Sequence, residues 1–293
     1  MKRILITGAN SYIGTSLEKW MSMHCANQVE IKTLDMLNPD WEDFDFSNFD
    51  VVFHVAAIVH IKEKKDLWPL YQQVNTEMPI LVAKKAKEAS VHHFIFMSTK
   101  GVYAPNTPLI TSDTIPAPVK MYGKSKLAAE KGLLGLSDND FHVSILRPPT
   151  VFGEGCRGNF PKLYKFSQKY KFFVSLRNHR SMIYIWNLCE FIRLLIMEIP
   201  DVSKVYFPQN REYSGTLDIL EAVWKNKGQH YHLVSCFNWI LKIVMRIPIF
   251  GKLRTMFYDS VYDQSLSDDF QWKYCIYSFH EAIEKYIKAE IVK

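Results

Sequence analysis

Tyr122 and Lys126 are the residues of this sequence whose types and spacing point most directly to catalysis. They stand four positions apart in the segment MYGKSKLAAE, whose composition is typical of a helix. Residues at positions i and i+4 share one helical face, so the ammonium is expected beside the phenol. We expect this charge to lower the pKa of Tyr122 and to make it a general base toward a hydroxyl group. The alternative is an aromatic ring that packs beside a solvated lysine.

Thr99 is the third candidate catalytic residue. It comes at the end of the apolar segment HFIFMST, which has the pattern of a buried strand, and it precedes Tyr122 along the chain. Its hydroxyl can hydrogen bond to a reacting oxygen and align that oxygen with Tyr122. The alternative, for Thr99 as for Ser98 beside it, is a hydroxyl that satisfies the backbone at a strand end.

The segment ITGANSYIG has the pattern of a turn that binds a dinucleotide. Gly8 directly follows the apolar run RILIT, and Gly14 would allow a following helix to pack closely on that strand. The amides at the start of such a helix face an anion. The middle glycine of the motif is replaced by a serine, and the alternative is an ordinary strand-to-helix turn. The predicted cofactor-binding residues of this turn are Gly8, Asn10, Ser11, Tyr12, Ile13 and Gly14.

Asp35 supports a dinucleotide as the ligand. It lies 21 residues beyond Gly14, at the end of the second predicted strand, VEIKTLD. A carboxylate there can accept hydrogen bonds from an adenosine ribose and would repel a 2′-phosphate, which favours NAD, with NADP left open. The alternative is a solvated carboxylate at a strand end.

These candidate residues all follow or begin elements that alternate between strand and helix. Strands are predicted over 3–7, 29–35, 50–57, 93–99 and 141–149, and helices over 15–25, 75–89, 122–136, 187–199 and 279–291. This alternation predicts an α/β fold, a Rossmann-type doubly wound parallel sheet over residues 1–150. Residues 151–293 are predicted to form a smaller C-terminal substrate-binding lobe, part of which returns to the first domain.

The composition excludes several classes of function. The chain has 293 residues, 48% of them hydrophobic, and a net charge of +6 that is too diffuse to indicate nucleic acid binding. Its five cysteines are scattered without a C-x-x-C pair, so neither a metal site nor a disulfide framework is predicted, and a cytoplasmic location is expected. The apolar run at the N-terminus is too short for a signal peptide.

The most apolar region of the chain is the segment 232–257. Four basic residues interrupt it, so it is not predicted to span a membrane. We interpret it as a helix that covers the core, followed by a loop at Pro248 and Gly251. A weak contact with a membrane surface through a basic amphipathic segment is the alternative.

Taken together, these motifs resemble the extended short-chain dehydrogenase/reductase proteins, in the NAD-dependent nucleotide-sugar epimerase/dehydratase family. The resemblance implies that Thr99, Tyr122 and Lys126 form the catalytic set. It covers residues 4–188 and is carried by the segments ITGANSYIG, DVVFHVAA, VNTEMPILVAKKAKE, HFIFMSTKGVYA, YGKSKLAAE, ILRPPTVFG and RSMIYIWNL.

The resemblance also implies roles for residues that their own patterns do not single out. It places one group near the cofactor and two further residues against the nucleotide diphosphate of a substrate. For one member of the first group, the asparagine of NTEMP, the alternative is a helix cap. The cofactor group is Ala56, Ala57, Asn75, Arg147 and Pro148, and the substrate group is Asn159 and Arg180.

The function that the resemblance implies is 4-epimerisation of a UDP-hexose or UDP-N-acetylhexosamine through a transient 4-keto sugar, in surface polysaccharide biosynthesis. A homodimer is expected from the resemblance alone. The alternatives are an NAD(P)H-dependent reductase of a UDP-4-keto-6-deoxy-hexosamine and a non-catalytic NAD(P)-binding sensor of the same fold. Three residues depart from the family pattern: Ser11 in the glycine turn, Trp186 in place of an aspartate, and Lys100, which adds a positive charge directly after Thr99.

Overall fold

The computed structural model of the chain describes residues 1–59, 61, 63–198, 202–236, 238–244 and 256–292. The strands and helices are numbered separately in chain order. The strands are β1 Lys2–Thr7, β2 Val29–Leu34, β3 Val51–His54, β4 His93–Met97, β5 Leu109–Ile110, β6 His142–Leu146, β7 Thr150–Phe152, β8 Phe172–Val174, β9 Met182–Tyr184, β10 Lys204–Tyr206, β11 His232–Val234 and β12 Val261–Tyr262. The α-helices are α1 Tyr12–His24, α2 Trp68–Gln72, α3 Met78–Glu88, α4 Met121–Leu134, α5 Asn159–Lys169, α6 Ile185–Met197, α7 Thr216–Asn226, α8 Asn238–Val244 and α9 Phe279–Ile291.

Six of these strands form a parallel sheet in the order β10-β6-β4-β3-β1-β2. Strand β1 lies between β2 and β3, so that Ile4 pairs with Ile31 on one side and with Val51 on the other. The chain leaves β1 toward β2 and then crosses back to β3. In an open α/β sheet, ligands bind at the carboxyl ends of the strands beside such a reversal.

Helices cover both faces of the sheet. Ile4 and Ile6 point into one apolar cluster with α1 and α6, whereas Leu5 points into a second cluster with α3 and α4. This alternation is what a strand with two buried faces requires. The predicted fold class, a doubly wound parallel sheet of Rossmann type, is confirmed.

The second half of the chain contributes to this sheet as well. Strand β10 pairs with β6 at the sheet edge, and α6 packs on α1. The remaining strands of this half form three small parallel pairs, β7 with β9, β8 with β11, and β12 with β5. The domain division at residue 150 stays a prediction.

The element bounds differ from the predicted ones where a side chain or a proline decides them. Helix α1 begins at Tyr12 rather than at residue 15, because Ser11 caps it. The predicted helix 75–89 is interrupted by a π-helical turn at Gln73–Glu77, and its regular part begins at Met78, with Pro79 in its first turn. Residue 199, the end of the predicted helix 187–199, lies outside the described residues.

The interpretation of segment 232–257 as a core-covering helix stays a prediction, because the structure describes only part of the segment. The described residues include β11, the short helix α8, on which Trp239 is 64% and Ile243 54% exposed, and Phe257, which is buried. Residues 237 and 245–255 lie outside the described residues. Nowhere in the described part of the chain is a helix long and apolar enough to cross a membrane.

Candidate active site

The glycine turn joins the carboxyl ends of three neighbouring strands. Gly8 has a φ of +123°, and a Cβ placed on it would lie 2.8 Å from the backbone nitrogen of Ala56, which follows β3. The N–H of Gly8 donates to the carbonyl of Leu34, the last residue of β2, at 2.9 Å. Asn10 also has a positive φ, of 62°. Only glycine fits position 8 without strain, and the absence of a side chain there leaves the backbone of the turn open toward a ligand.

Ser11 replaces the middle glycine without blocking the turn. Its Oγ accepts a hydrogen bond from the N–H of Gly14 at 3.1 Å, and it thereby caps helix α1. A Cβ on Gly14 would lie 2.5 Å from this oxygen, so the cap requires glycine there. Tyr12 and Ile13 open the first turn of α1, where amides have no partner within the helix. The serine hydroxyl keeps its own hydrogen for an anion.

Asp35 stands at the end of β2, directly after Leu34. Its carboxylate is exposed and accepts a hydrogen bond from the N–H of Leu37 at 2.9 Å. The carbonyl of Leu34 receives the N–H groups of both Gly8 and Ala9, which ties this strand end to the glycine turn. Asp35 therefore lies beside the turn, as predicted, and its contact with a ribose stays a prediction.

Thr99 and Tyr122 meet at the carboxyl end of β4. Thr99 caps a short 3₁₀ turn, Lys100–Val102, and its Oγ1 accepts from the N–H of Gly101 at 3.0 Å. The hydroxyl of Thr99 lies near enough to the phenol of Tyr122 to favour the phenolate and so to act against the rise in the pKa of Tyr122. Helix α4 approaches this turn so closely that a Cβ on Gly123 would lie 2.1 Å from the carbonyl oxygen of Gly101. The YG pair of the sequence thus brings the phenol to the threonine.

The expected lowering of the Tyr122 pKa is wrong for the protein as it stands. Burial removes water from the phenol and raises its pKa, the Thr99 hydroxyl opposes this shift, and Tyr71 reinforces it. Desolvation disfavours the phenolate more than its surroundings favour it. The phenolate therefore needs additional positive charge in the site.

Lys126 is buried behind Tyr122 with its ammonium unpaired. Its Nζ lies 4.2 Å from the centroid of the Phe96 ring and has no hydrogen-bond partner among the described residues. Burial lowers the pKa of Lys126 to about 7, while the nearby Glu130 carboxylate acts in the opposite direction. An unpaired buried ammonium is costly, and it indicates a ligand whose oxygens supply the acceptors.

Glu130 is a positioning residue that the sequence reasoning missed. It is buried on α4, accepts hydrogen bonds from Ser98 and from Arg147, and pairs with the Arg147 guanidinium at 2.6 Å. Arg147 also donates to the Tyr103 hydroxyl at 2.7 Å. The spacing of four residues from Lys126 to Glu130 placed it on the same helical face and was the available signal.

The guanidinium of Arg147 thus has its hydrogen-bond acceptors within the protein. Burial would lower the pKa of Arg147, but the hydrogen bonds that it donates to the Glu130 carboxylate, together with the charge of that carboxylate, outweigh this and raise it. Its predicted contact with a cofactor stays a prediction, as does that of Pro148, whose carbonyl accepts from the N–H of Lys100 at 2.9 Å.

Asn75 connects the segment after β3 with the catalytic helix. It is buried in the π-helical turn, where its Oδ1 accepts from the N–H of Ile58 at 2.8 Å and its Nδ2 donates to Ser125 at 3.3 Å. It therefore acts as a brace rather than as a helix cap. Through Ile58 it holds the chain just after Ala56 and Ala57. A π-helical turn inside a helix often marks a functional site.

Glu63 is a second positioning residue that the sequence did not reveal. Its two carboxylate oxygens accept from the N–H groups of Met121 and Tyr122, both at 3.2 Å. A carboxylate at this place stabilises the N-terminus of α4. No local pattern predicted the contact, because Glu63 is distant from Tyr122 in sequence.

The two predicted substrate residues lie in different surroundings. Arg180 is half-buried, pairs through its backbone with Ser260, and has no hydrogen-bonding acceptor for its guanidinium in the described part of the chain. Burial lowers the pKa of Arg180. Asn159 is exposed as the first residue of α5, and no hydrogen bond between described residues joins it to the rest of the site.

Comparison with known proteins agrees with this geometry. The family model described as "NAD dependent epimerase/dehydratase family" matches residues 4–206. A UDP-glucose 4-epimerase from Vibrio cholerae is 34% identical over 246 residues, which are 76% of this chain and 75% of that protein. An N-acetyl-alpha-D-glucosaminyl-diphospho-ditrans,octacis-undecaprenol 4-epimerase from Escherichia coli O157:H7 is 28% identical over 223 residues, covering 69% of this chain and 66% of that one.

Solved structures share the fold over the whole chain. A UDP-glucuronic acid 4-epimerase from Bacillus cereus, in complex with NAD, superposes with a TM-score of 0.75 at 19% identity and covers 99% of both chains. The family match covers more than half of the sequence and includes the glycine turn, Thr99, Tyr122 and Lys126. The chain belongs to the NAD dependent epimerase/dehydratase family.

Proposed function

We propose that this protein is an NAD-dependent 4-epimerase of a nucleotide sugar, a UDP-hexose or a UDP-N-acetylhexosamine, and that it serves surface polysaccharide biosynthesis. The observation that carries the proposal is the buried, unpaired Lys126 on the same helix as Tyr122, with the Thr99 hydroxyl beside the phenol. The 4-epimerase activity of the Vibrio cholerae and Escherichia coli relatives supports the reaction type.

The residues present fit a dinucleotide. Gly8 offers a bare backbone turn, the first turn of α1 offers free amides, and Lys126 offers an ammonium without a partner. Asp35 would accept from the adenosine ribose, which favours NAD over NADP. NAD, when bound, supplies reversible hydride transfer at the sugar carbon and a positive charge near the phenol.

Within this site, side chains of the protein accept the proton of the sugar 4-hydroxyl, hold it and return it. Tyr122, as the phenolate, takes the proton of the sugar 4-hydroxyl, and Thr99, whose hydroxyl lies beside the phenol, hydrogen bonds to the 4-oxygen and aligns it. Lys126, when protonated, stabilises the phenolate against the burial that raises its pKa. After the 4-keto sugar has turned and presents the opposite face of C4, Tyr122 returns the proton to the 4-oxygen.

The reductase alternative uses the same residues in one direction only. Tyr122 would then donate a proton once to a 4-keto sugar, and one reduced cofactor would be consumed for each product. Retained NAD without a net change in absorbance at 340 nm supports the epimerase, whereas stoichiometric loss of NAD(P)H supports the reductase.

The decisive experiment is incubation with a panel of UDP-sugars, with and without NAD(P)H, read by mass spectrometry and sugar NMR. Inversion at C4 is expected for at least one sugar. Tyr122→Phe should lower the rate about 100-fold or more, because it removes the general base. Tyr170→Phe, at the end of α5, is the matched control and should leave the rate unchanged. Full activity in Tyr122→Phe would reject the catalytic role of Tyr122, whereas no turnover of any sugar by the unchanged protein would leave the non-catalytic sensor as the alternative.

A weak contact with an anionic membrane surface belongs to the same proposal. Trp239 and Ile243 are exposed on α8, and Asn238 ties this helix to Ser175 just after β8, where Phe172 is exposed as well. The preceding helix α5 exposes Lys162, Lys165 and Lys169. Aromatic and basic side chains together are typical of an interfacial surface.

Co-sedimentation with phosphatidylglycerol vesicles tests this contact. Binding should be lost in Trp239→Ser and retained in Trp68→Ser, a change outside the segment. Absence of binding by the unchanged protein would reject the contact. The cytoplasmic location and the homodimer stay predictions, and sedimentation analysis decides the second.

A further inference from the structure

Lys100 and Arg180 bring two cations to the same backbone position. The Nζ of Lys100 donates to the carbonyl of Ser260, and Arg180 pairs with Ser260 as neighbouring strand residues do. Lys100 belongs to the turn after β4, and Ser260 directly precedes β12. Residues far apart in sequence thus place an ammonium and a guanidinium side by side.

Neither cation has a carboxylate partner within the described residues. Burial and, to a smaller extent, repulsion from Arg180 together lower the pKa of Lys100 to about 7. Asp259 directly precedes Ser260, but its Oδ1 lies 3.6 Å from Nδ1 of His179. The remaining neighbour is the ring of Tyr262, 5.1 Å from the Lys100 Nζ, whose hydroxyl donates to the carbonyl of Arg147. Two half-buried basic side chains without a carboxylate partner favour an anion from outside the chain.

The pair lies next to the predicted reaction centre. Lys100 directly follows Thr99, and its N–H donates to the carbonyl of Pro148 at 2.9 Å, which fixes it between the catalytic turn and the chain after β6. An anion held by Lys100 is therefore close to the sugar that Thr99 and Tyr122 would bind.

We propose that Lys100 acts with Arg180 to bind an anionic oxygen group of the substrate beside Thr99. This inference rests on the proposed function, and it narrows the substrate class. Two sources have the required chemistry, a carboxylate on the sugar and the diphosphate that links the sugar to its carrier. Charge-assisted hydrogen bonds from both cations would restore the charge balance that the protein alone lacks.

Calorimetric titration of the NAD-loaded protein with UDP-glucuronic acid, UDP-glucose and UDP tests the inference. Lys100→Met should weaken anion binding about tenfold or more, the effect of removing a charged hydrogen bond. A loss confined to UDP-glucuronic acid identifies the sugar carboxylate, and an equal loss for all three probes identifies the diphosphate. Lys131→Met, an exposed lysine on α4, is the control. Changes below about twofold for every probe would overturn the inference.

Proton uptake separates an anion site from a merely structural lysine. At pH 8 the free protein holds Lys100 mostly neutral, since its pKa is about 7, and binding an anion draws a proton onto it. Titrations in buffers of different ionisation enthalpy should show this uptake in the unchanged protein and less of it in Lys100→Met. Lys100→Arg should keep most of the affinity without the uptake at position 100. Weaker binding with unchanged uptake in Lys100→Met means that the lysine only holds the turn, which overturns the inference.

The two proposals can fail separately. Absence of C4 inversion for every UDP-sugar rejects the 4-epimerase, whatever Lys100 does to binding. Inversion by the unchanged protein, together with equal affinities and equal proton uptake in Lys100→Met, rejects the anion site alone.

Discussion

Lys126 has 1% of its surface exposed, and its ammonium faces the ring of Phe96. The expectation from the sequence was that this charge would activate Tyr122. Burial favours the neutral form of both Tyr122 and Lys126. The charged forms therefore need a ligand that supplies charge and hydrogen bonds. At the scale of single residues, the unpaired Lys126 lowers the stability of the folded protein and leaves its ammonium available to a ligand.

This cost predicts a pH-dependent gain in stability for Lys126→Met. The pKa of the lysine is about 7 in the folded protein and about 10.4 unfolded. Between these values the unfolded chain binds the extra proton, so the cost is full below pH 7 and disappears toward pH 10. In thermal unfolding without NAD, Lys126→Met should raise the Tm by at least about 2 °C at pH 7, and by less at pH 9.5. A lower Tm at pH 7 would contradict this, and Lys131→Met is the control.

Ser11 gives a second prediction at this scale. Ser11→Ala removes the cap on Gly14 and should lower the free energy of unfolding by about 1 kcal/mol, whereas Ser11→Gly should cost only a few tenths. Both should weaken NAD binding about threefold to tenfold if the hydroxyl donates to a phosphate. Urea unfolding and NAD titration measure the two effects, with Ser22→Ala on α1 as control. Unchanged NAD affinity would assign the phosphate to the backbone amides alone.

Helix α4 is the element on which the site depends most. Glu63 holds its first N–H groups, Asn75 reaches its Ser125, and Glu130 anchors it to Arg147 beside β6. Its closest approach is at Gly123, which touches the turn that carries Thr99. The distance between Thr99 and Tyr122 is therefore set by a backbone-to-backbone contact between two elements.

Gly123 of α4 and Gly135, the residue that follows α4, give opposite predictions. Gly123→Ala places a methyl group 2.1 Å from the Gly101 carbonyl, so it should separate the elements, cost about 1–3 kcal/mol and abolish turnover. Gly135→Ala, at the end of the same helix, meets its nearest atoms at 3.5 Å with helical dihedral angles, and should be neutral or slightly stabilising. Urea unfolding and the epimerase assay check both. Normal activity in Gly123→Ala would refute the close contact.

At the scale of the whole molecule, the two halves share one apolar core. Ile6 and Leu17 of the first half lie in the same cluster as Ile283 and Tyr286 of α9. Trp20 donates to Glu190 on α6 at 2.9 Å, and Lys2 donates to the carbonyl of Ile196 at 2.7 Å. The predicted substrate lobe therefore cannot be removed without exposing the core beneath the sheet.

Cooperative unfolding of both halves follows from this shared core. Tyr286 packs edge-on against Phe160 and Tyr164, and Tyr286→Ala should lower the free energy of unfolding by about 3–5 kcal/mol. The loss should appear in a single transition by both tryptophan fluorescence and far-UV circular dichroism. Ile291→Ala, at an exposed position of α9, is the control. Two separate transitions would show that the halves fold independently.

Local patterns predicted the elements more reliably than the site. The apolar runs at β1, β3 and β4 and the glycine turn after β1 depend on neighbouring residues, and the structure places all of them as expected. The start of α1 was misplaced because the capping role of Ser11 was not recognised. The exposure of Trp239 and Ile243 on α8 was not predicted, because an apolar composition does not show which neighbours cover a helix.

The sequence by itself determined the fold class and the order of Gly8, Asp35, Thr99, Tyr122 and Lys126, because these follow from short-range periodicity and spacing, and the resemblance of its motifs indicated the family. Tertiary structure alone decided the charge states and the partners. The Glu130–Arg147 pair, the cap from Glu63 and the meeting of Lys100 with Arg180 each join segments distant in the chain. Burial sets the pKa values of Tyr122 and Lys126, and burial is a property of the packed molecule that no local pattern contains.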